Sequence, residues 1–479
     1  MSSKVSPLNA GQWHFVLPLS LCALLIFIWP IPGTIALRNV FAAVLLGALL
    51  VSSWRERLLS FARMPGLYPV VGSFALLSGW VLLVVAGWAV EPATSWREFW
   101  AQWSVPTICG FMGYLLARLA MNRGEAGKQA ILKVIFFTLL FQVTLHDLLD
   151  FAYLISTGEQ PYRQAPVLYL PVFLETWQTG EPWTQAFLGR YFEKFSFVNN
   201  TFAAILIAEV LQRTIQKKPW LNLPNWLLAA SFFLVLLCSY WLRVRNGNLG
   251  LLFLLIVAGL MTLIKIHHRW KASRLIFALG LALAILTGIG TAFWKTDARW
   301  QTFVETVPIA LDTDTHKAWL SRSIAPYPRL SNGNEVDPSN YERLAWIKEG
   351  LKLGWERPFG SGLNRSGFFD GLDRKYQMNG ALRGGHSHSG IVDFFIANGV
   401  PGLLLWFAFL LSITVLGWKT FAGANMALGL MLIFLISGFF SRSLVDSNIR
   451  DHVFQQFLFM AGIFATLCAG TIQSEKGKA

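Results

Sequence analysis

The sequence predicts an all-α polytopic membrane protein of about twelve transmembrane helices, with a large, partly helical external loop between spans nine and ten. Three observations carry that reading. Hydrophobic residues make up 54% of the 479 and charged residues only 14%, where soluble globular chains carry roughly 25% charge. Mean hydropathy is +0.48, and apolar runs long enough for a hydrocarbon core about 30 Å thick recur along the chain. The 38 Phe and 21 Trp suit lipid-facing walls and the two headgroup belts.

Each span is an apolar run between charged or Pro/Gly-rich breaks. The first, 13–30, has only Lys4 ahead of it and lacks a small-residue cleavage site, so it is expected to be a retained helix. Runs 38–54, 69–90, 103–119 and 134–155 follow, then 198–213, 226–244, 248–265 and 275–294. The last three are 390–417, 424–440 and 453–471. Twelve spans place both termini on one side. The alternate loops on that side hold Arg55, Arg57 and Arg63; Arg118, Arg123, Lys128 and Lys133; Arg213, Lys217 and Lys218; and Lys265, Arg269, Lys271 and Arg274. With Lys4, Lys419, Lys476 and Lys478 these eighteen basic residues face only Glu56, Glu125 and Glu475, and the rest of the chain is close to neutral. The net charge of +14 is therefore positive-inside bias, which puts both ends in the cytoplasm and leaves no nucleic-acid footprint to explain. Cys22, Cys109, Cys238 and Cys468 fall inside spans, where they act as small apolar residues and imply no disulfide or zinc framework.

The expected organisation is a transmembrane part over 1–294 with a smaller external loop at about 156–197, a large external loop over 295–389, and a closing transmembrane part over 390–479. A loop of that size with its own amphipathic pattern points to chemistry on the outer face. Within it, Tyr341-Glu-Arg-Leu-Ala-Trp-Ile-Lys-Glu-Gly350 sets Leu344, Ile347 and Leu351 at helical spacing. Asp337 or Ser339 can cap this helix and Gly350 weaken or end it. Pro358-Phe-Gly-Ser-Gly362 is a glycine-rich turn without the Lys-Ser/Thr of a phosphate-binding loop.

Charge at membrane depth is costly, so it marks candidate sites. Arg243 and Arg245 lie in the short turn between spans seven and eight, where guanidinium forks either snorkel to headgroups or clamp a phosphate. Arg383-Gly-Gly-His-Ser-His-Ser-Gly390 runs directly into span ten. Its His386 and His388 could be half of a metal site, yet the loop offers no third histidine and no Cys; an imidazole there suits a general base or an acceptor-positioning group. Arg343 lies on the amphipathic helix. His146, Asp147 and Asp150, near the outer end of span five, are expected to form local salt bridges, and the charge-dense segment 441–452 to line the same cavity as the histidines. Glu209 has no evident place.

The order of these features resembles the bacterial O-antigen ligases of the O-antigen ligase and polymerase superfamily, over about 226–417. Arg245-Asn-Gly247 is similar to the family's Ser-Arg-Gly turn, with Val244 in place of a small polar residue. Arg343-Leu-Ala-Trp346 with Pro358-Phe-Gly-Ser-Gly362 is similar to its Arg helix and glycine turn. His388-Ser-Gly-Ile-Val, with Gly399 and Gly402 downstream, resembles its His-Asn run, and counting back from Gly399 selects His388 over His386. Gly189-Arg-Tyr and Phe195-Ser-Phe-Val-Asn-Asn200 resemble its earlier elements, which adds Arg190.

The resemblance implies a glycosyltransferase of the bacterial inner membrane that moves O-antigen glycan from undecaprenyl diphosphate to lipid A-core oligosaccharide at a periplasmic site. It implies a metal-independent, inverting reaction without cofactor. His388, Arg245 and Arg343 would be catalytic, and Arg190, Arg243, His386 and Arg383 would bind substrate. An O-antigen polymerase or protein O-oligosaccharyltransferase would share these parts. A lipid-linked-glycan flippase or other transporter would instead spread charge along the midplane of several helices, whereas here the candidates gather at the outer rim.

Overall fold

The computed structural model describes residues 10–31, 33–56, 64–158, 192–242, 244–267, 301–382, 384–423, 425–449 and 452–476, with a few isolated positions between 273 and 291. Among them the chain is helical throughout, apart from one isolated bridge between Arg329 and Glu335. In chain order the helices are α1 (Ala10–Ile28), α2 (Ile35–Arg55), α3 (Tyr68–Gly87), α4 (Pro92–Phe99), α5 (Val105–Asn122), α6 (Gly124–Thr157), α7 (Phe192–Gln216), α8 (Asn225–Leu242), α9 (Arg245–Ile266), α10 (Phe303–Leu311), α11 (Pro338–Glu356), α12 (Gly367–Tyr376), α13 (Gly390–Ala422), α14 (Met426–Val445) and α15 (His452–Lys476). Among the described residues, ten segments are long and apolar enough to cross a membrane: α2, α3, the continuous α4–α5 run, α6 to α9, and α13 to α15. The protein is thus an all-α, multi-pass membrane protein. The first apolar run forms α1, which ends at Ile28 and not at residue 30, because Pro30 disfavours helical backbone in the residue before it. The expected ninth span, 275–294, lies almost wholly outside the described residues.

Packing follows residue size. α15 lies closest on α5, where a Cβ on Gly113 would come within 2.1 Å of the Phe459 carbonyl oxygen, so only glycine permits that backbone approach. α13 packs between α3 and α14, and α14 in turn touches α7, α9 and α15. Glu209 finds its place at one end of α7: it pairs with Arg213 at 2.5 Å and accepts the backbone N–H groups of Trp220 and Leu221. That carboxylate fastens the turn into α8 and is structural.

A second apolar cluster gathers α10, α11 and α12 around Trp319, Tyr341, Ala345, Phe368 and Leu372, and reaches α13 through Val392 and Ile396. Asp337 caps α11 by accepting the Asn340 N–H at 2.9 Å. Gly350 does not end that helix, which continues to Glu356. Its lack of a side chain serves a different purpose, because a Cβ there would lie 2.3 Å from Val392 Cγ1, on the docking face against α13. Beside it the buried Glu349 accepts from Lys352, Thr313 and Tyr376. Burial alone would raise its pKa, but those donors outweigh it and hold the carboxyl at about 2, so the group stays charged and ties three segments together.

Candidate active site

The candidate site begins at the entry to α13. Ser389 caps the helix, accepting from the Val392 N–H, and Asp393 in the first turn holds the loop by accepting from the Ser387 N–H at 3.0 Å and the Ser447 hydroxyl at 2.5 Å. This fixes His388 in left-handed backbone, φ 57°, which is uncommon for a residue with a Cβ. Its ring lies flat on Trp346 of α11, with centroids 5.5 Å apart and planes 9° from parallel. Trp346 is itself held by donating to the Trp319 carbonyl at 2.9 Å. The His386 ring sits 4.4 Å from that of His388, and the His388 N–H donates to His386 Nδ1.

These rings form one wall of an open cleft of about 260 Å³, completed by Ser321, Glu342, Phe369 and the Gly384-Gly385 backbone. Arg343 stands one turn before Trp346 on α11, near enough to His388 to act on its titration. The imidazole pKa is lowered to about 4, first by burial, then by the charges of His386 and Arg343, against the pull of Asp446 and Asp393. At neutral pH His388 is therefore uncharged and can accept a proton. Tyr327 donates to Glu342, which lines the cleft, at 2.5 Å.

The second part of the site is the head of α9. Arg245 opens the helix and does not lie in a turn before it; its backbone is described and its side chain is not. A Cβ on Gly247 would fall 2.7 Å from Ser196 Cβ, and the Gly247 carbonyl accepts from Asn200 Nδ2 at 3.0 Å. The glycine thus lets α9 begin directly against the Ser196–Asn200 turn of α7. Arg442 of α14 reaches the same place: it donates to Ser196 Oγ at 3.0 Å and pairs with Asp446 at 2.9 Å. Asp446 in turn accepts the Gly390 N–H through its backbone carbonyl and acts on His388. The end of α14 therefore links the head of α9 to the histidine loop.

The glycine turn locks the other side of α13. Ser361 and Gly362 donate backbone N–H groups to Ile396 and Ala397, and Pro358 accepts from Val400. Gly399, at φ 68° and ψ −168°, breaks the helix at that point, in backbone essentially confined to glycine.

Of the residues expected from sequence, His386 and His388 line one cleft, Arg343 stands near enough to act on His388, and Arg245 heads the neighbouring α9. Arg190, Arg243 and Arg383 lie outside the described residues. Sequence reasoning assigned no role to Trp346, Trp319 and Glu342, whose part depends on a fold contact. It pointed to the 441–452 segment by charge density alone, without separating Arg442 and Asp446 from their neighbours.

Residues 230–407 match the family model described as O-antigen ligase. This segment carries an O-antigen ligase family domain. The matched range runs from α8 through the first half of α13, so it takes in Arg245, Arg343, the glycine turn, His388 and the Gly399 break. A domain of that family implies glycosyl transfer of the O-antigen ligase and polymerase kind. No curated protein matches the chain.

Proposed function

We propose that this protein transfers O-antigen glycan from undecaprenyl diphosphate to lipid A-core oligosaccharide on the periplasmic face of the bacterial inner membrane. The observation that supports it most is the uncharged His388 beside Arg343 in an open cleft at the mouth of α13. The acceptor hydroxyl oxygen attacks the anomeric carbon as the bond from that carbon to the diphosphate oxygen breaks. The hydroxyl proton passes to His388, and the diphosphate leaves with the electron pair. Attack opposite the leaving group inverts the anomeric centre. Arg343 and Arg245 offset the charge growing on the diphosphate, an effect typically worth 10²–10³-fold per donor. As the diphosphate neutralises Arg343, one of the influences that hold His388 uncharged weakens, and the imidazole becomes a stronger base when donor is bound.

The test is purified protein with lipid-diphosphate-linked glycan and lipid A-core acceptor in EDTA, wild type beside His388→Ala. The expected result is product from wild type and a loss of about 10²–10⁴-fold in the variant. Wild-type-like transfer by a folded His388→Ala protein overturns the role of the histidine. Lengthened carrier-linked chains with no product on the core overturn the ligase in favour of the polymerase.

A further inference from the structure

A second cluster of polar side chains lies between α6 and α8, inside the apolar bundle. His146, Asp147 and Asp150 are 3%, 4% and 0% exposed, and Cys238 is 0% exposed. The local pairing that the sequence suggested is present between His146 and Asp150, but in a buried place and without satisfying the cluster. His146 Nδ1 lies 3.0 Å from Asp150 Oδ2, off the hydrogen-bond direction, and both ring nitrogens and all four carboxylate oxygens have no hydrogen-bond partner. Leaving so many polar atoms buried and unmatched is costly. Ligand atoms of His146, Asp147 and Cys238 lie within 4.8 Å of one another, although Cys238 comes from a different helix.

We propose that His146, Asp147 and Cys238 bind a zinc-like divalent metal ion, with Asp150 orienting the imidazole. Nitrogen, carboxylate oxygen and thiolate sulfur together form a donor set of the kind zinc accepts. A dication balances the Asp147 carboxylate and the Cys238 thiolate, binding expels the thiol proton, and the Asp150 charge is left to face the imidazole N–H. Asp150 beside Nδ1 sets up a carboxylate–histidine–metal relay that leaves Nε2 to the ion. The site would be structural. His146 stacks on Phe195 of α7 at 4.3 Å, and the next residue, Ser196, receives both Gly247 and Arg442. An ion that joins α6 to α8 thus steadies the helix against which α9 begins. This site stands independently of the glycosyl-transfer reading.

The test loads the purified full-length protein in detergent with Zn²⁺ or Co²⁺, removes free ion, and reads metal content, absorption and melting temperature. One zinc per chain is expected, with a thiolate-to-cobalt charge-transfer band in the cobalt form and a higher melting temperature than the metal-free protein. Cys238→Ser should lose the band, and Asp150→Asn should bind about 10–100-fold more weakly. Wild-type protein that keeps no metal after loading overturns the proposal, with no variant needed. So does a cobalt spectrum unchanged in Cys238→Ser, which would place the ion elsewhere.

Discussion

The charge state of His388 is set by its neighbours, and each of them can be tested separately. Burial, His386 and Arg343 lower its pKa from 6.5 to about 4, while Asp446 and Asp393 raise it. Between those two pH values the unfolded chain binds more protons at this residue than the folded one. Its contribution therefore makes the folded state less stable as pH falls through 6.5, and the loss is complete near 4. Removing a positive neighbour must move proton uptake to higher pH, and removing a negative one must move it lower. Arg343→Ala is thus expected to raise the His388 pKa and Asp446→Asn to lower it, both read by NMR of histidine-labelled protein. A pKa unmoved in Arg343→Ala would separate that guanidinium from the imidazole and weaken its assignment to the cleft.

Within α13 the decisive position is Gly399, where the helix gives up regular backbone to admit the Pro358–Gly362 turn. A Cβ there would meet the Pro358 carbonyl oxygen at 2.2 Å, and the backbone conformation alone costs a non-glycine residue about 1–3 kcal/mol. Gly399→Ala should therefore lower the melting temperature markedly, whereas Gly72→Ala in α3, which has nothing within 4 Å of the added carbon, should not. Equal effects would mean that the turn is not seated on the break. Gly399 was legible in the sequence as a register mark for His388, but its purpose was not, since that depends on a segment some forty residues earlier. Gly350 teaches the same lesson in reverse: local propensity reads it as a helix end, and the close approach of α13 overrides that reading. Apolar runs are legible because the bilayer imposes their length on each segment separately. The contact of Cys238 with Asp147 was not, because nothing local to either residue records the other.

Across the whole molecule, the elements of the site converge on one end of the bundle. The heads of α7, α9 and α13 and the end of α14 meet there through Ser196, Gly247, Gly390, Arg442 and Asp446. Of the basic residues named from sequence, Arg213, Lys265 and Lys419 lie in the last turns of α7, α9 and α13, at the opposite ends of these helices. The positive-inside rule predicts that the site end faces outward, the side where the proposed carrier-linked glycan would be presented. All four cysteines are buried and free, so the native chain should react slowly with polar thiol reagents and single exposed cysteines can report orientation. Asn332→Cys, in the exposed turn before α11, should be labelled in intact cells by a membrane-impermeant maleimide. Ala126→Cys, exposed at the start of α6, should be labelled only after the membrane is opened. The opposite pattern would turn the cleft toward the cytoplasm, where a donor displayed in the outer leaflet cannot reach His388, and the ligase reading would fall with it.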